Sequence, residues 1–208
     1  ISKNDPSGGL RVRKSIEEYG LPITRGSYLK GDPPEPYIAA YKCELFLSAN
    51  SNDVYSAIRS DLPAGHVLPV KSNVPIDKTK ELRVAFDFDG VLVDDSSENI
   101  YRSNDMFTYQ QNERDKANEP IPAGPLKPLM KRLSDIQKIE QSRLDEDRNY
   151  IRILKTSVVT ARNAPADERV INTLDIWGVE VDQAHFLGGV EKKGILEVIS
   201  PHIFFDDQ

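Results

Sequence analysis

Two stretches that lie far apart in the chain share one pattern of apolar and polar positions. In residues 12–20, apolar side chains stand at the i, i+4 and i+7 positions and a glycine follows, and residues 170–178 repeat this arrangement. Such spacing predicts an amphipathic helix that ends at a glycine. The same offset of 158 residues places 45–50 over 203–208. The patterns therefore predict an internal duplication.

Apolar runs of a different kind lie between and within the two copies. They are short, rich in β-branched residues, and typical of strands that are buried in a parallel sheet. The predicted strands are residues 81–93, 150–160, 184–189 and 202–207. Helical patterns separate these runs, whereas residues 69–80 are polar and marked by proline and predict a linker. Strands that alternate with helices predict an α/β fold with a parallel sheet.

The amino-acid composition argues against two classes of binding partner and bears on the cellular compartment. Among 208 residues, 27 Lys and Arg stand against 33 Asp and Glu, a net charge of −6, which argues against binding to a nucleic acid polymer or to a membrane surface. The single cysteine fits a reducing compartment, so we expect a cytoplasmic protein. The chain begins with Ile1 and ends directly after an apolar run, so we expect each end to fall within a structural element.

Four predicted strands end in polar side chains that suit phosphate chemistry. They are Asp87 with Asp89, then Thr160, then Lys192 or Lys193, then Asp206 with Asp207. Ligands of parallel α/β sheets gather outside the carboxyl ends of the strands, so we expect these groups to surround one point. Clustered carboxylates need a cation, and oxygen ligands suit Mg²⁺. A lysine, a hydroxyl and a helix N-terminus would hold a phosphate, so the pattern predicts phosphoryl transfer.

The order of these motifs resembles that of the haloacid-dehalogenase-like phosphohydrolases. More narrowly, the strings AFDFDGVLVDDSSE, VVTARNAPADERV, WGVEVDQAHFLGG and PHIFFDDQ resemble the cytosolic 5′-nucleotidase I family and its bacterial relatives. The resemblance spans nearly the whole chain and implies a Rossmann-like parallel sheet with flanking helices. Animal members of the family read DGDAV where this chain reads DFDGV, a change that keeps both aspartates.

The resemblance implies roles for the acidic residues. Asp87 would be the nucleophile that forms an aspartyl-phosphate. Asp89 would protonate the departing nucleoside oxygen and then deprotonate the hydrolytic water. Mg²⁺ would be bound by the Asp87 carboxylate, by the backbone carbonyl of Asp89, and by a carboxylate of Asp206 or Asp207.

It also implies roles for the groups that would contact the substrate. Thr160 and Lys192 would hold the phosphoryl oxygens, and the family pattern prefers Lys192 to its neighbour Lys193. Arg162 and Asn163 would contact the substrate beyond its phosphate. The alternative for Arg162 is an ion pair or a cap near its own helix.

The duplication and the motifs together predict the domain organisation. Residues 1–75 would be a degenerate phosphatase-like half, because Ser and Ala at positions 48 and 49 replace the acidic pair and a proline at position 34 stands opposite the lysine. Residues 76–208 would be the catalytic core. A small helical insert at about 96–149 would follow the first catalytic strand and form a cap, in which Tyr101, Phe107 and Tyr109 either pack together or stack on a nucleobase.

The sequence therefore predicts an Mg²⁺-dependent 5′-nucleotidase that converts nucleoside 5′-monophosphates to nucleosides and phosphate. Two alternatives stay open, the same site acting on another small phosphomonoester and an inactive fragment of such an enzyme. A signalling receiver domain is disfavoured, since its acidic pair precedes the phosphate-accepting aspartate, whereas the acidic pair comes last here. The sequence leaves a homo-oligomer open.

Overall fold

The computed structural model describes residues 1–69, 80–96 and 106–207. The chain divides into two compact units, Ile1–Val70 and Lys71–Gln208. Most of the predicted linker at 69–80 lies outside the described residues. None of the helices in the described residues is long and apolar enough to cross a membrane.

The first unit holds three helices and two short strands within the described residues. They are α1 (Pro6–Glu18), α2 (Glu35–Ala40), β1 (Phe46–Ser48), α3 (Ser51–Arg59) and β2 (Ala64–His66). Strands β1 and β2 pair in parallel. Four buried side chains from α2, α3 and β2 form the core of this unit: Ile38, Val54, Ala57 and Ala64.

Helix α1 is present, but it packs differently from the prediction. The Asp5 carboxylate accepts a hydrogen bond from the backbone N–H of Gly8 and caps the helix. The apolar pattern predicts that Tyr19 packs inward, which is wrong, because this side chain is 76% exposed. Gly9 is the buried residue of the helix, and a Cβ there would lie 2.5 Å from the ring of Tyr28. The helix therefore packs through a glycine against an aromatic ring.

The second unit is an α/β layer structure around a four-stranded sheet. Its elements in the described residues are β3 (Leu82–Phe86), α4 (Met106–Asp115), α5 (Lys127–Glu146), β4 (Leu154–Thr160), α6 (Ala166–Ile176), β5 (Gln183–Phe186), α7 (Lys192–Ile199) and β6 (Ile203–Phe205). The strand order is β5-β4-β3-β6 and every pair is parallel. The prediction of a parallel sheet with flanking helices is confirmed.

Strand β3 is central and is shorter than the apolar run that predicted it. The side chains of Val84, Ala85 and Phe86 are buried, and the Phe86 ring stacks on Phe205 of β6 with centroids 5.1 Å apart. The strand ends at Phe86, and the chain turns four residues later at Gly90, which has a φ of +72°. The residues that follow β3 therefore lie at the carboxyl edge of the sheet.

Helices α4 and α5 lie in the stretch predicted as an insert. The charged run at 143–148 predicts a solvated loop, which is wrong for four of its six residues, because α5 continues to Glu146. Its residues 143–146 continue the helix because neither proline nor glycine interrupts them. Tyr101 lies outside the described residues, Phe107 is exposed, and Tyr109 is buried.

Backbone features of the first unit recur 158 residues later in the second. Four pairs of residues at this offset share a left-handed conformation, with φ between 48° and 99°. The pairs are Gly20 and Gly178, Lys30 and Gly188, Gly31 and Gly189, and Lys42 and Ser200. A helix-internal bond also recurs, since Ser15 Oγ donates to the Arg11 carbonyl (3.1 Å) and Thr173 Oγ1 donates to the Arg169 carbonyl (2.7 Å).

We expect the Ile38→Ala substitution to lower the free energy of unfolding by about 2–5 kcal/mol, because it leaves a cavity in the core of the first unit. Urea denaturation measures the change. The neighbouring Tyr37, which is 38% exposed, supplies the control. Tyr37→Ala should cost less than about 1 kcal/mol, and equal losses for the two variants would contradict this description of the core.

Candidate active site

A cavity of about 640 Å³ lies at the carboxyl edge of the four-stranded sheet. Residues that follow each of the four strands line it, together with side chains of α4. They are Asp87 and Asp89 after β3, Ala161 to Asn163 after β4, Gly188 to Lys193 after β5, Asp206 and Asp207 after β6, and Met106 and Tyr109 of α4. The volume suits a small organic ligand.

Asp87 is the first residue after the central strand and is held from three sides. Its backbone N–H donates to the Phe205 carbonyl (2.8 Å). Its carboxylate accepts from the backbone N–H of Phe88 (2.7 Å) and from Nζ of Lys192 (2.6 Å). The pKa of Asp87 is raised to about 6, because burial and, to a smaller extent, the charge of Asp206 outweigh the lowering effect of Lys192 and of the Phe88 N–H. The carboxylate is therefore mostly ionised at neutral pH although it is 5% exposed.

Three carboxylates meet at this edge of the sheet. One oxygen from each of Asp87, Asp206 and Asp207 lies within 4.8 Å of the others. Lys192 also donates to Asp206 (3.0 Å), and although burial alone would lower the pKa of Lys192, its bonds to the two carboxylates raise it. An all-oxygen cluster of this size fits a hard divalent cation.

Gly90 keeps the acidic cluster closely packed. A Cβ at this position would lie 2.9 Å from Oδ2 of Asp207, and the φ of +72° strains any other residue. The turn after β3 and the end of β6 therefore approach each other through a residue that has no side chain.

A buried arginine binds both carboxylate oxygens of Asp89. Arg162 donates through Nε (2.8 Å) and Nη2 (2.7 Å) to the two oxygens of Asp89, and through Nη1 (2.6 Å) to Glu113 of α4. Burial alone would lower the pKa of Arg162, but its bonds to Asp89 and its charged neighbours raise it. The side chain is 3% exposed. Arg162 therefore forms ion pairs with Asp89 and Glu113, and an ion pair was the alternative to a substrate contact. The contact of Arg162 with the substrate stays a prediction.

Thr160 and Asn163 occupy different positions relative to the cavity. Thr160 is the last residue of β4, is buried, and accepts a hydrogen bond at Oγ1 from the backbone N–H of Arg162 (3.2 Å). It is not among the residues that line the cavity, whereas Asn163 is, beside Gly188. Lys193 lines the cavity but is exposed. The roles predicted for these residues stay predictions.

The sequence of the chain is similar to those of known nucleotidases. The sequence model of the 5'-nucleotidase family matches residues 1–208. The chain belongs to the 5'-nucleotidase family. It is 34% identical over 208 residues to cytosolic 5'-nucleotidase 1B of Homo sapiens, an alignment that covers 100% of this chain and 33% of the human protein. The chain thus spans about a third of that relative. No solved structure matches it. The resemblance to the cytosolic 5′-nucleotidase I family is confirmed.

In this member of the 5'-nucleotidase family, one acidic and one aromatic residue at the site carry no sequence motif. Glu113 of α4 is fully buried and accepts from Nη1 of Arg162 and from Nη1 of Arg169 (3.0 Å). Acidic residues of polar helices are normally exposed, so the local sequence gives no signal for Glu113. Tyr109 lies one helical turn before Glu113 and lines the cavity, and burial raises its pKa to about 12. The sequence predicts that this side chain either packs within the cap or stacks on a nucleobase.

We expect Gly90→Ala to weaken the binding of Mg²⁺ by about tenfold or more, because the new Cβ displaces Asp207 from the cluster. Isothermal calorimetry measures the affinity. Gly20→Ala is the matched control, since Gly20 has a φ of +60° and open space around it. Both variants should lose about 1–2 kcal/mol of stability from the left-handed backbone. Equal Mg²⁺ affinities in the two variants would refute the close approach at Gly90.

Proposed function

We propose that this chain carries the active site of an Mg²⁺-dependent 5′-nucleotidase that hydrolyses nucleoside 5′-monophosphates to nucleosides and phosphate. The observation that carries the proposal is the convergence of Asp87, Lys192 and the acidic pair that follows β6 on one cavity. Membership of the 5'-nucleotidase family supports the same reaction. The human relative is named as a cytosolic 5'-nucleotidase, which supports the substrate class.

Asp87 would act as the nucleophile. One of its oxygens attacks phosphorus, the bond from phosphorus to the nucleoside oxygen breaks, and an aspartyl-phosphate forms. Its backbone is fixed by the neighbouring strand and its carboxylate by two donors, so the attacking oxygen is oriented before substrate binds. A pKa of about 6 leaves the group ionised, as attack requires.

Asp89 would act as general acid and then as general base. It gives a proton to the departing nucleoside oxygen, and it later takes a proton from the water that attacks the aspartyl-phosphate and releases phosphate. Its position two residues after Asp87 in the same cavity supports this role. The two bonds from Arg162 fix the plane of its carboxylate.

Mg²⁺ would be held by the carboxylate of Asp87, the backbone carbonyl of Asp89, and Asp206 or Asp207. The three carboxylates offer the hard oxygen ligands that this ion prefers. When bound, the ion would neutralise charge on the transferring phosphoryl group. The side chain of Lys192, which already reaches two of these carboxylates, would contact a phosphoryl oxygen, and the Thr160 hydroxyl would contact another.

The rest of the substrate would occupy the cavity beyond the carboxylates. Asn163, with its side chain beside Gly188, would contact the nucleoside. Arg162 also lines the cavity, and its guanidinium has more N–H groups than its three bonds to Asp89 and Glu113 use, so it would be a further contact to the nucleoside. Helix α4 lines the cavity through Met106 and Tyr109, which supports a cap formed by the insert at about 96–149.

We also propose that residues 1–75 are a degenerate copy of part of the catalytic core at 76–208, within a haloacid-dehalogenase-like fold. The shared left-handed positions and the recurring helix bond at the 158-residue offset support this proposal. At this offset Ser48 stands opposite Asp206, so the first copy lacks the acidic pair. We place the protein in the cytoplasm, without nucleic acid or membrane partners, and leave a homo-oligomer open.

We expect the chain to release phosphate from a panel of nucleoside 5′-monophosphates only when Mg²⁺ is present. Asp87→Asn should lower turnover at least about a thousandfold, because it removes the nucleophile. Full activity in this variant would exclude an aspartyl-phosphate. A sugar phosphate included in the panel tests the alternative substrate class, and its preference over every nucleotide would replace the nucleotidase proposal.

Two adjacent lysines give a second test. Lys192→Gln should lower kcat about a hundredfold, because it removes the cation that contacts Asp87 and the phosphoryl group. Lys193→Gln should change kcat less than about twofold, since Lys193 is exposed. Steady-state kinetics with one nucleotide compares the two. A larger loss in the Lys193 variant would transfer the phosphate-binding role to that residue.

A further inference from the structure

Four charged side chains of alternating sign form a row that runs from the cavity into the protein. Asp89 binds Arg162, Arg162 binds Glu113, and Glu113 binds Arg169. The Nε of Arg169 donates in turn to the backbone carbonyl of Glu119 (2.9 Å). Each charge in the row has a neighbour of opposite sign, which buried charges require.

Glu113 is the member of this row that lies deepest. Its side chain is fully buried, whereas that of Asp89 is 20% exposed and faces the cavity. One carboxylate oxygen accepts from Arg162 and the other accepts from Arg169 and, at 3.3 Å, from the side-chain amide of Asn112. Glu113 is therefore fixed at one oxygen by Arg169 and Asn112, independently of Arg162, and its other oxygen is left to face the Arg162 guanidinium.

The geometry of the guanidinium links Glu113 to the carboxylate of Asp89. A guanidinium is planar and rigid, so fixing one of its nitrogens fixes the directions of the other two. The Nε and Nη2 edge of Arg162 faces Asp89, and Nη1 faces Glu113. Rotation of Arg162 about its long side chain would break the bond to Glu113, and the direction of the Asp89 carboxylate therefore depends on Glu113.

We propose that Glu113 is a positioning residue, which holds Arg162 so that the Asp89 carboxylate points at the oxygen that leaves phosphorus. The inference rests on the proposed function, in which Asp89 is the general acid. It assigns a role to α4 beyond lining the cavity. Glu113 itself touches neither substrate nor the reacting atoms.

The contribution of a general acid to the rate of phosphoryl transfer grows with the basicity of the leaving group. A nucleoside oxygen needs a proton as its bond to phosphorus breaks, whereas p-nitrophenolate departs without one. Misdirecting Asp89 should therefore slow phosphoryl transfer from a nucleotide more than from p-nitrophenyl phosphate. A buried ion pair that only stabilises the fold would affect both substrates alike.

The experiment compares kcat/KM of wild type and Glu113→Gln for a nucleoside monophosphate and for p-nitrophenyl phosphate. We expect Glu113→Gln to lower the value for the nucleotide about tenfold or more and the value for p-nitrophenyl phosphate less than about threefold. Asp89→Asn, which removes the acid itself, should show the same selectivity. Equal losses for the two substrates, or no loss for either, would overturn the proposal.

The exposed Asp115 on the same helix supplies the matched control. Its carboxylate accepts from the side-chain amide of Gln111 (2.8 Å), so Asp115→Asn alters a helix-surface carboxylate without touching the row. We expect it to leave both kcat/KM values within about twofold. A selective loss in the Asp115 variant would show that general disturbance of α4, and not Glu113, directs the acid.

A double-mutant cycle tests whether Glu113 acts through Arg162. Arg162→Lys removes the bidentate hydrogen bond to Asp89. In that background, Glu113→Gln should lower kcat/KM for the nucleotide by less than about a further twofold. Losses that multiply would overturn the proposal. Thermal unfolding checks each variant, and if Glu113→Gln does not fold, Glu113→Asp, which keeps the charge and shortens the reach, takes its place.

Failure of the proposed function is separable from failure of this inference. If wild type cleaves a sugar phosphate but no nucleotide, the nucleotidase proposal fails, and the same comparison made with the sugar phosphate decides the role of Glu113. If wild type cleaves nucleotides and Glu113→Gln shows no selective loss, the function stands and the inference fails. A wild type that hydrolyses no phosphomonoester with Mg²⁺ present overturns both.

Discussion

Charge compensation at the carboxyl edge of one parallel sheet is the constraint on which the site depends. Parallel strands end at a common edge, so the acids that follow β3 and β6 are forced together. Carboxylates at such distances repel one another and gain protons unless positive charge stands among them. Lys192 from the start of α7 and Arg162 from the loop after β4 supply that charge. The cations therefore come from the same edge of the sheet as the acids.

Much of this arrangement could be predicted from the sequence, because the chemistry lies where strands end. Apolar runs broken by acids indicated both β3 and β6, and the parallel order followed from their alternation with helices. The structure places Asp87, Asp89, Lys192 and the terminal acids around one cavity, as expected from that order. Thr160 closes its strand as predicted, yet its hydroxyl accepts from a backbone N–H of the following loop.

The remainder depended on contacts that no local pattern encodes. Glu113 is buried because Arg162 and Arg169, 49 and 56 residues away along the chain, both reach it. The helical pattern of residues 12–20 likewise predicted an inward apolar face, but α1 packs through Gly9, where the Tyr28 ring needs the space. In both cases a partner distant in sequence decided which side chain became buried.

The order of the strands also determines which part of the site loses its structure first. Strand β3, which Asp87 follows, has a hydrogen-bonded neighbour on each side, whereas β6, which Asp206 and Asp207 follow, lies at the edge of the sheet in the described part of the chain. Amide hydrogens of β3 should then exchange with solvent only on global unfolding, and those of β6 earlier, by local fraying. A metal ion held as proposed by Asp87 together with Asp206 or Asp207 would then be released when the edge frays, before the fold as a whole is lost.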